Sequence, residues 1–259
     1  MSDRRQRQKE QRAAKREAER KRDARKELGR RLVTALIFGI VVVAIFALSG
    51  AFGGETTDPP DGYERFRDQA TACDADTPPP QEPMGFEGPT AMNVGQGATA
   101  TIATSCGEFV IELNTDGAPA TVNSFAFLAQ QGFYEGQAVF EIAEGFRFRV
   151  GDPAADGTGG PGYVVPDEFP GEGFVYEEGV VAMFSRGARS TGSQFFVITG
   201  EDGEFLTNQF NVLGRVVSGQ ETVDRIMGIE TEPAVGSTAR SRPVETVYIE
   251  SITVEGLDS

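Results

Sequence analysis

Between Ala98 and Asn114 the chain alternates apolar and polar residues in two runs, ATATIATS and EFVIELN, broken by Cys106-Gly107. Alternation with a period of two marks strands that bury one face, so the pair predicts an antiparallel hairpin. The period then changes. Pro119 opens APATVNSFAFLAQQ, whose apolar residues Val122, Phe125, Phe127 and Leu128 fall at helical spacing, and Gly132 stands where a helix-ending glycine belongs. Short apolar runs around 139–142, 146–150, 180–185, 195–199, 212–217 and 246–254 predict further strands, with a second short helix, ETVDRIMG, before the last. Many short strands, Gly-rich turns and two helices point to a closed antiparallel β-barrel with helices at its ends. No repeat with a period of roughly 20–50 residues is visible.

Upstream the pattern differs in kind. From Leu32 to Ser49 no residue is charged, and the apolar character runs on to Phe52. At about 1.5 Å per helical residue, about 20 residues match a hydrocarbon core of about 30 Å, so residues 32–52 are expected to form a transmembrane helix. Charge sets its expected orientation. The chain carries −15 overall, but up to Arg31 fourteen Lys/Arg face six Asp/Glu, a net of +8, and beyond it ten Arg face thirty-three acids, a net of −23. The positive-inside rule then places residues 1–31 in the cytoplasm as a basic tail and the acidic remainder outside, on a single-pass cell-membrane protein. A cleaved signal peptide is the competing reading. Against it stand the long basic region, the span-length apolar run and the lack of a clear A-x-A site. No Cys lies just after the run, which argues against a lipoprotein-type anchor. The tail is read as solvated and topogenic beside membrane lipid rather than as a nucleic-acid-binding arm.

Residues 53–96, with GGETTDPPD and DTPPPQEPMGFEGPT, read as a Pro/Gly-rich spacer that stays extended and has no packed core. Within it Tyr63–Asp68 is a candidate short helix that packs on the domain formed by residues 97–259. The two cysteines, Cys73 and Cys106, form an even pair on the expected oxidising side. A disulfide is favoured, with two unpaired thiols as the alternative. With no His and two Cys, the sequence offers no zinc site and calls for no metal. GTGGPGY lacks the Lys-Ser/Thr of a phosphate loop, and Ser193, in GSQF, has no His with which to build a triad.

Several runs of the domain resemble one family. They are Ala118-Pro119 with TVNSFAFLAQQGFYEG, GDPAADGTGGPGY, Asp167-Glu168-Phe169, Ala182-Met183 and Gly192-Ser193-Gln194-Phe195-Phe196. In order and spacing they resemble a cyclophilin-type peptidyl-prolyl cis-trans isomerase over residues 97 to 256, and an N-terminal anchor with a linker resembles the membrane-tethered bacterial members. The resemblance implies a mainly β fold, an eight-stranded antiparallel barrel capped by two helices, here preceded by one transmembrane helix. It implies no cofactor, and proline-containing polypeptides as partners.

Prolyl isomerisation needs no nucleophile. Its barrier of about 18–20 kcal/mol is the amide resonance lost as the C–N bond twists, and the twisted prolyl nitrogen regains a lone pair that accepts a hydrogen bond. By the resemblance, the apolar slot falls on Phe146, Phe196 and Leu206, and the backbone-binding glutamine on Gln194. Phe205 takes the place of the usual Trp and Phe210 that of a His. The family's donor arginine becomes Glu141, its supporting Gln becomes Arg149, a pocket Met becomes Arg147, and the substrate-binding Asn becomes Ser185. Glu141 and Arg149 are therefore expected to be an exchanged catalytic pair, with the Arg149 guanidinium beside Phe146 and Phe196. The alternative is a surface ion pair with no catalytic role. Two functions follow as expectations: an isomerase of weak activity acting on proline-containing polypeptides outside the membrane, or a degenerate relative that binds Pro-containing segments or a partner protein without isomerising them.

Overall fold

The computed structural model describes residues 62–234 and 236–257. Eight strands build one antiparallel sheet: β1 (Val94–Thr104), β2 (Gly107–Leu113), β3 (Glu141–Ala143), β4 (Arg147–Val150), β5 (Val180–Met183), β6 (Phe195–Ile198), β7 (Val212–Ser218) and β10 (Ile249–Leu257). Their order is β10-β1-β2-β7-β5-β6-β4-β3. The two ends of that order are drawn together just before β3 and β10. There Val139 N–H donates to Val247 O (2.8 Å) and Ile249 N–H to Gln137 O (3.0 Å), around an antiparallel bridge between Ala138 and Tyr248.

The alternation seen in sequence becomes the two sides of this sheet. On β1 and β2, Ala100 faces Ile111 and Ile102 faces Phe109 on the core side. β5 and β6 are apolar throughout because both of their faces are covered. Val181, Met183, Phe195 and Val197 enter the main core, while Val180, Ala182, Phe196 and Ile198 enter a second cluster with Tyr176, Phe210 and Val212.

Helix α2 (Pro119–Gln130) plugs one end of the barrel, with Pro at its first turn. It ends in a Schellman motif: Phe133 N–H donates to Leu128 O and Gly132 N–H to Ala129 O, both 3.0 Å, with Gly132 at φ +70. Its start lacks a capping side chain of its own, since Ala118 is the N-cap. Glu168, distant in sequence, fills that role. Its carboxylate accepts from Ala120 N–H (2.9 Å), Thr121 N–H (2.8 Å) and the Thr121 hydroxyl (2.7 Å). Glu168→Ala is therefore expected to lower the unfolding free energy by about 1–2 kcal/mol, read from the urea midpoint; an unchanged midpoint would show the cap to be idle. Helix α3 (Gln220–Met227) covers β2 and β4.

The upstream segment, expected to be a spacer apart from a short helix at Tyr63–Asp68 packed on the domain, has that helix and lies against the barrel beyond it as well. Helix α1 (Gly62–Asp68) buries Phe66 completely against Ala138, Phe140 and Ala155. It sits so close to the 153–157 loop that a Cβ at Gly62 would meet Ala154 O at 2.5 Å. Beyond it Ala72 N–H donates to Thr246 O (2.9 Å) and Thr246 N–H to Ala70 O (2.8 Å). Cys73 and Cys106 are joined as a disulfide, closing a sequence separation of 33. Farther on, the Phe86 ring meets that of Phe127 edge-on at 5.2 Å, which is why α2 is buried on nearly every side. The remaining hairpin, β8 (Thr231–Pro233) with β9 (Arg240–Pro243), is polar and was not foreseen. Its pairing is held beside ion pairs such as Arg240–Glu230, not by alternating burial.

The expected membrane architecture is corrected. No helix among the described residues is long and apolar enough to cross a membrane. The longest of them has twelve residues, or about 18 Å at 1.5 Å per residue, well short of a hydrocarbon core of about 30 Å. The apolar run 32–52 and the basic tail 1–31, on which the single-pass topology rested, lie outside the described residues. The fold of the described residues is thus the mainly β, eight-stranded sheet with its helices and has no transmembrane helix among them, and the placement of a cytoplasmic tail and an outer domain finds no support in it.

Candidate active site

Strand β4 sends Phe148 and Val150 into the main core and turns Arg147 and Arg149 to the opposite face. That face is shared with Phe196, since Arg149 is paired in register with Phe196 and Arg147 with Ile198. On the other side of β4, Glu141 of β3 stands directly across from Arg149. One carboxylate consequently serves two guanidinium groups. Arg149 Nη2 lies 2.9 Å from Glu141 Oε2, and Arg147 Nη2 lies 3.1 Å from Oε1, with Arg147 Nε donating to the same Oε1 at 3.2 Å. The three side chains are only 11–20% exposed, so the ion pairs are partly shielded from water. Burial presses the Arg149 guanidinium below its usual pKa range, Glu141 raises it again, and the neighbouring Arg147 lowers it. It remains a cation throughout the physiological range.

The aromatic surroundings separate the two arginines. Arg147 Cζ lies 4.6 Å from the Phe146 ring centroid and 5.0 Å from that of Phe196. Arg149 Cζ instead lies 4.1 Å from Phe184 and 4.7 Å from Phe140. The sequence-based assignment put Arg149 beside Phe146 and Phe196; the residue there is Arg147. Both arginines are on one strand face two positions apart, and strand geometry alone does not say which of two long side chains leans over the slot.

The apolar residues assigned to the slot, Phe146, Phe196 and Leu206, share one cluster. Phe196 is fully buried and Phe210 nearly so, their rings edge-to-face at 5.3 Å. Phe146, Phe184 and Leu206 pack half-buried against the same cluster. Phe205 is not part of it: it ends the 3-10 turn Glu201–Phe205 and stands 83% exposed, so no aromatic wall rises there. Ser185 is buried, with its hydroxyl donating to Gln209 O at 3.1 Å. Gln194 is buried, and its Nε2 donates to Gly159 O (2.9 Å). Its Oε1 is buried without a partner.

Beside Gln194 opens a cavity of about 540 Å³, bordered by Thr158, Gly160, Val164, Phe184, Arg186 and Gln194. Its glycine-rich wall is held by Asp152, which accepts from Ala154 N–H (2.8 Å) and Gly157 N–H (2.5 Å). Burial pushes the Asp152 carboxyl up, and those N–H donors pull it back. A Cβ at Gly159 would fall 2.2 Å from Asp152 Oδ1, so this wall requires glycine. Sequence reasoning missed Phe184 and Arg186. The available signal was their position on either side of Ser185, at the end of the apolar run of β5. Among the described residues no group of His, Cys, Asp or Glu is arranged to hold a metal ion.

Residues 99–254 match the model of one family, described as cyclophilin type peptidyl-prolyl cis-trans isomerase/CLD. The chain belongs to that family. Peptidyl-prolyl cis-trans isomerase B of Streptomyces anulatus is 34% identical over 173 residues, covering 60% of this chain and 95% of the relative. Isomerase A of Mycobacterium tuberculosis is 33% identical over 172 residues, covering 61% and 92%. The isomerase-like 2 protein of Cryptococcus neoformans is 36% identical over 163 residues, and the chain spans 27% of its length. A Cryptosporidium parvum cyclophilin crystal structure shares the fold, with a TM-score of 0.54 at 24% identity, covering 62% of this chain and 98% of that one. In this cyclophilin, then, the slot and its glutamine stand together in space, while a carboxylate with two attendant arginines occupies the edge where the resemblance places a donor arginine.

Proposed function

We propose that this cyclophilin is a peptidyl-prolyl cis-trans isomerase acting on proline-containing polypeptides in protein folding. One observation carries the reading: the half-buried Phe146, Phe184 and Leu206, backed by the buried Phe196 and Phe210, form an apolar surface beside a guanidinium held by Glu141. An apolar surface accepts the pyrrolidine ring, and a cationic donor meets the nitrogen lone pair that appears only when the C–N bond is twisted. Binding of that kind is stronger at the twisted state than at either planar isomer, which is what accelerates the exchange.

The test is exchange spectroscopy on the full chain with a short peptide containing one Xaa-Pro bond. Uncatalysed exchange takes about tens to hundreds of seconds, and catalytic amounts of protein are expected to shorten it in proportion to protein concentration. A peptide that binds with its exchange rate unaltered would make the chain a binder of Pro-containing segments and would overturn the isomerase reading.

A further inference from the structure

We infer that Arg147 is the residue that donates to the prolyl nitrogen, with Glu141 and Arg149 as its positioning residues; the inference rests on the isomerase reading above. Among the described residues, Arg147 is the cation that lies over both Phe146 and Phe196. Its guanidinium has five N–H groups. Nε and Nη2 are engaged by Glu141 Oε1, and Nη1 has no acceptor among the described residues. The plane is thus fixed along one edge and keeps donors for a ligand, the arrangement that favours a guanidinium over an ammonium.

Arg149 has a different environment. It is wedged between Phe184 and Phe140, its Nη2 lies 3.3 Å from where a Cβ at Gly157 would be, and its buried Nε finds no partner. What it contributes is a second anchor on Glu141, through Oε2 at 2.9 Å. A carboxylate pinned by Arg149 on one oxygen cannot swing away from Arg147 on the other. Two cations on one anion also leave the cluster with an excess positive charge, directed at the place where a nitrogen lone pair develops. The donor therefore comes from β4 and its carboxylate from β3. No covalent bond forms or breaks and no proton is transferred: the N–H stays on Arg147 while the peptide bond passes through its twisted state.

The experiment compares the full-length wild type with R147A, R147Q, R147K, R149A and E141Q. It measures exchange rate and peptide affinity together, with thermal unfolding to confirm each fold. R147A is expected to slow catalysed exchange by about 10²–10³-fold, with affinity changing less than about threefold because the slot rings remain. R147K and R147Q, which keep a donor, are expected to recover part of the rate. R149A and E141Q are expected to lower kcat by about 10–100-fold with KM held, a split that a merely structural role does not produce. An R147A protein that exchanges the peptide as fast as wild type overturns the assignment alone. So does one that binds the peptide more tightly and turns it over faster, since Arg147 would then be an obstruction in the slot. A wild type that binds without accelerating exchange brings down the isomerase reading, and the assignment with it.

Discussion

Replacing Cys73 and Cys106 together by serine is expected to lower the unfolding free energy by about 4 kcal/mol. The bond closes a separation of 33 residues, and the entropy removed from the unfolded chain by a loop of that size sets the figure. The loss falls on a segment with few other restraints: a helix of seven residues, Gly62–Asp68, below the length at which a helix is stable alone. Phe66 and the two backbone bonds with Thr246 remain to hold it. Urea unfolding of the double variant, and of the wild type with and without reductant, reads the effect. The two treatments should give the same shift in midpoint, and a wild type indifferent to reductant would show that the cross-link contributes nothing.

The second large effect is at Phe196. Its side chain is fully buried in the middle strand of the second cluster, edge-to-face with Phe210 at 5.3 Å and beneath Arg147 at 5.0 Å. Phe196→Ala removes a ring from a site fenced by strands on both sides that cannot collapse, so a loss of about 3–5 kcal/mol is expected. Because such a variant risks unfolding, Phe196→Leu provides the functional test. It nearly conserves volume and is expected to cost about 1.5 kcal/mol or less, while removing the flat face that backs the half-buried Phe146 and carries the guanidinium. Peptide affinity measured by titration should fall by about tenfold in the leucine variant, the size of one aromatic contact of about 1.4 kcal/mol. Undiminished affinity would place the proline elsewhere.

Much of this was legible in the sequence where a residue's role depends on period or on local chemistry. Alternation located β1 and β2, and the proline and glycine at the ends of α2 stand at Pro119 and Gly132 because one fixes φ and the other adopts φ +70. The runs around Gln194 and Phe196 identified the family. Four features were beyond that kind of reading. The β8–β9 hairpin carries no apolar alternation. Glu168 caps a helix 47 residues away, at Thr121, and such a partnership exists only after folding. Phe205 and Leu206 are neighbours in sequence, yet the turn at Glu201–Phe205 sends one to solvent and the other to the cluster. Arg147 and Arg149 share a strand face and a carboxylate, and apart from Phe146, the neighbour of Arg147, the rings they meet come from residues 140, 184 and 196, elsewhere in the chain. The transmembrane reading failed for a different reason. It rested on hydropathy and charge in residues 1–52, which lie outside the described residues, and none of the described helices is long and apolar enough to span a membrane.

The pairing of β1 with β10 sets an order in time. Ala100 stands opposite Ile111, in a strand made a few residues later, on one side and opposite Val254 on the other, and the Gln137–Val139 seam waits for residues 247–249 as well. A ribosome synthesising this chain has delivered the slot, both arginines and Glu141 before the strand that closes the cylinder exists. Until then β1 presents a bare edge, open to pairing with any other extended chain. Contacts between residues so far apart in sequence also form slowly. A protein proposed to hasten one slow step in the folding of other chains therefore completes its own barrel only once residues 249–257 have emerged.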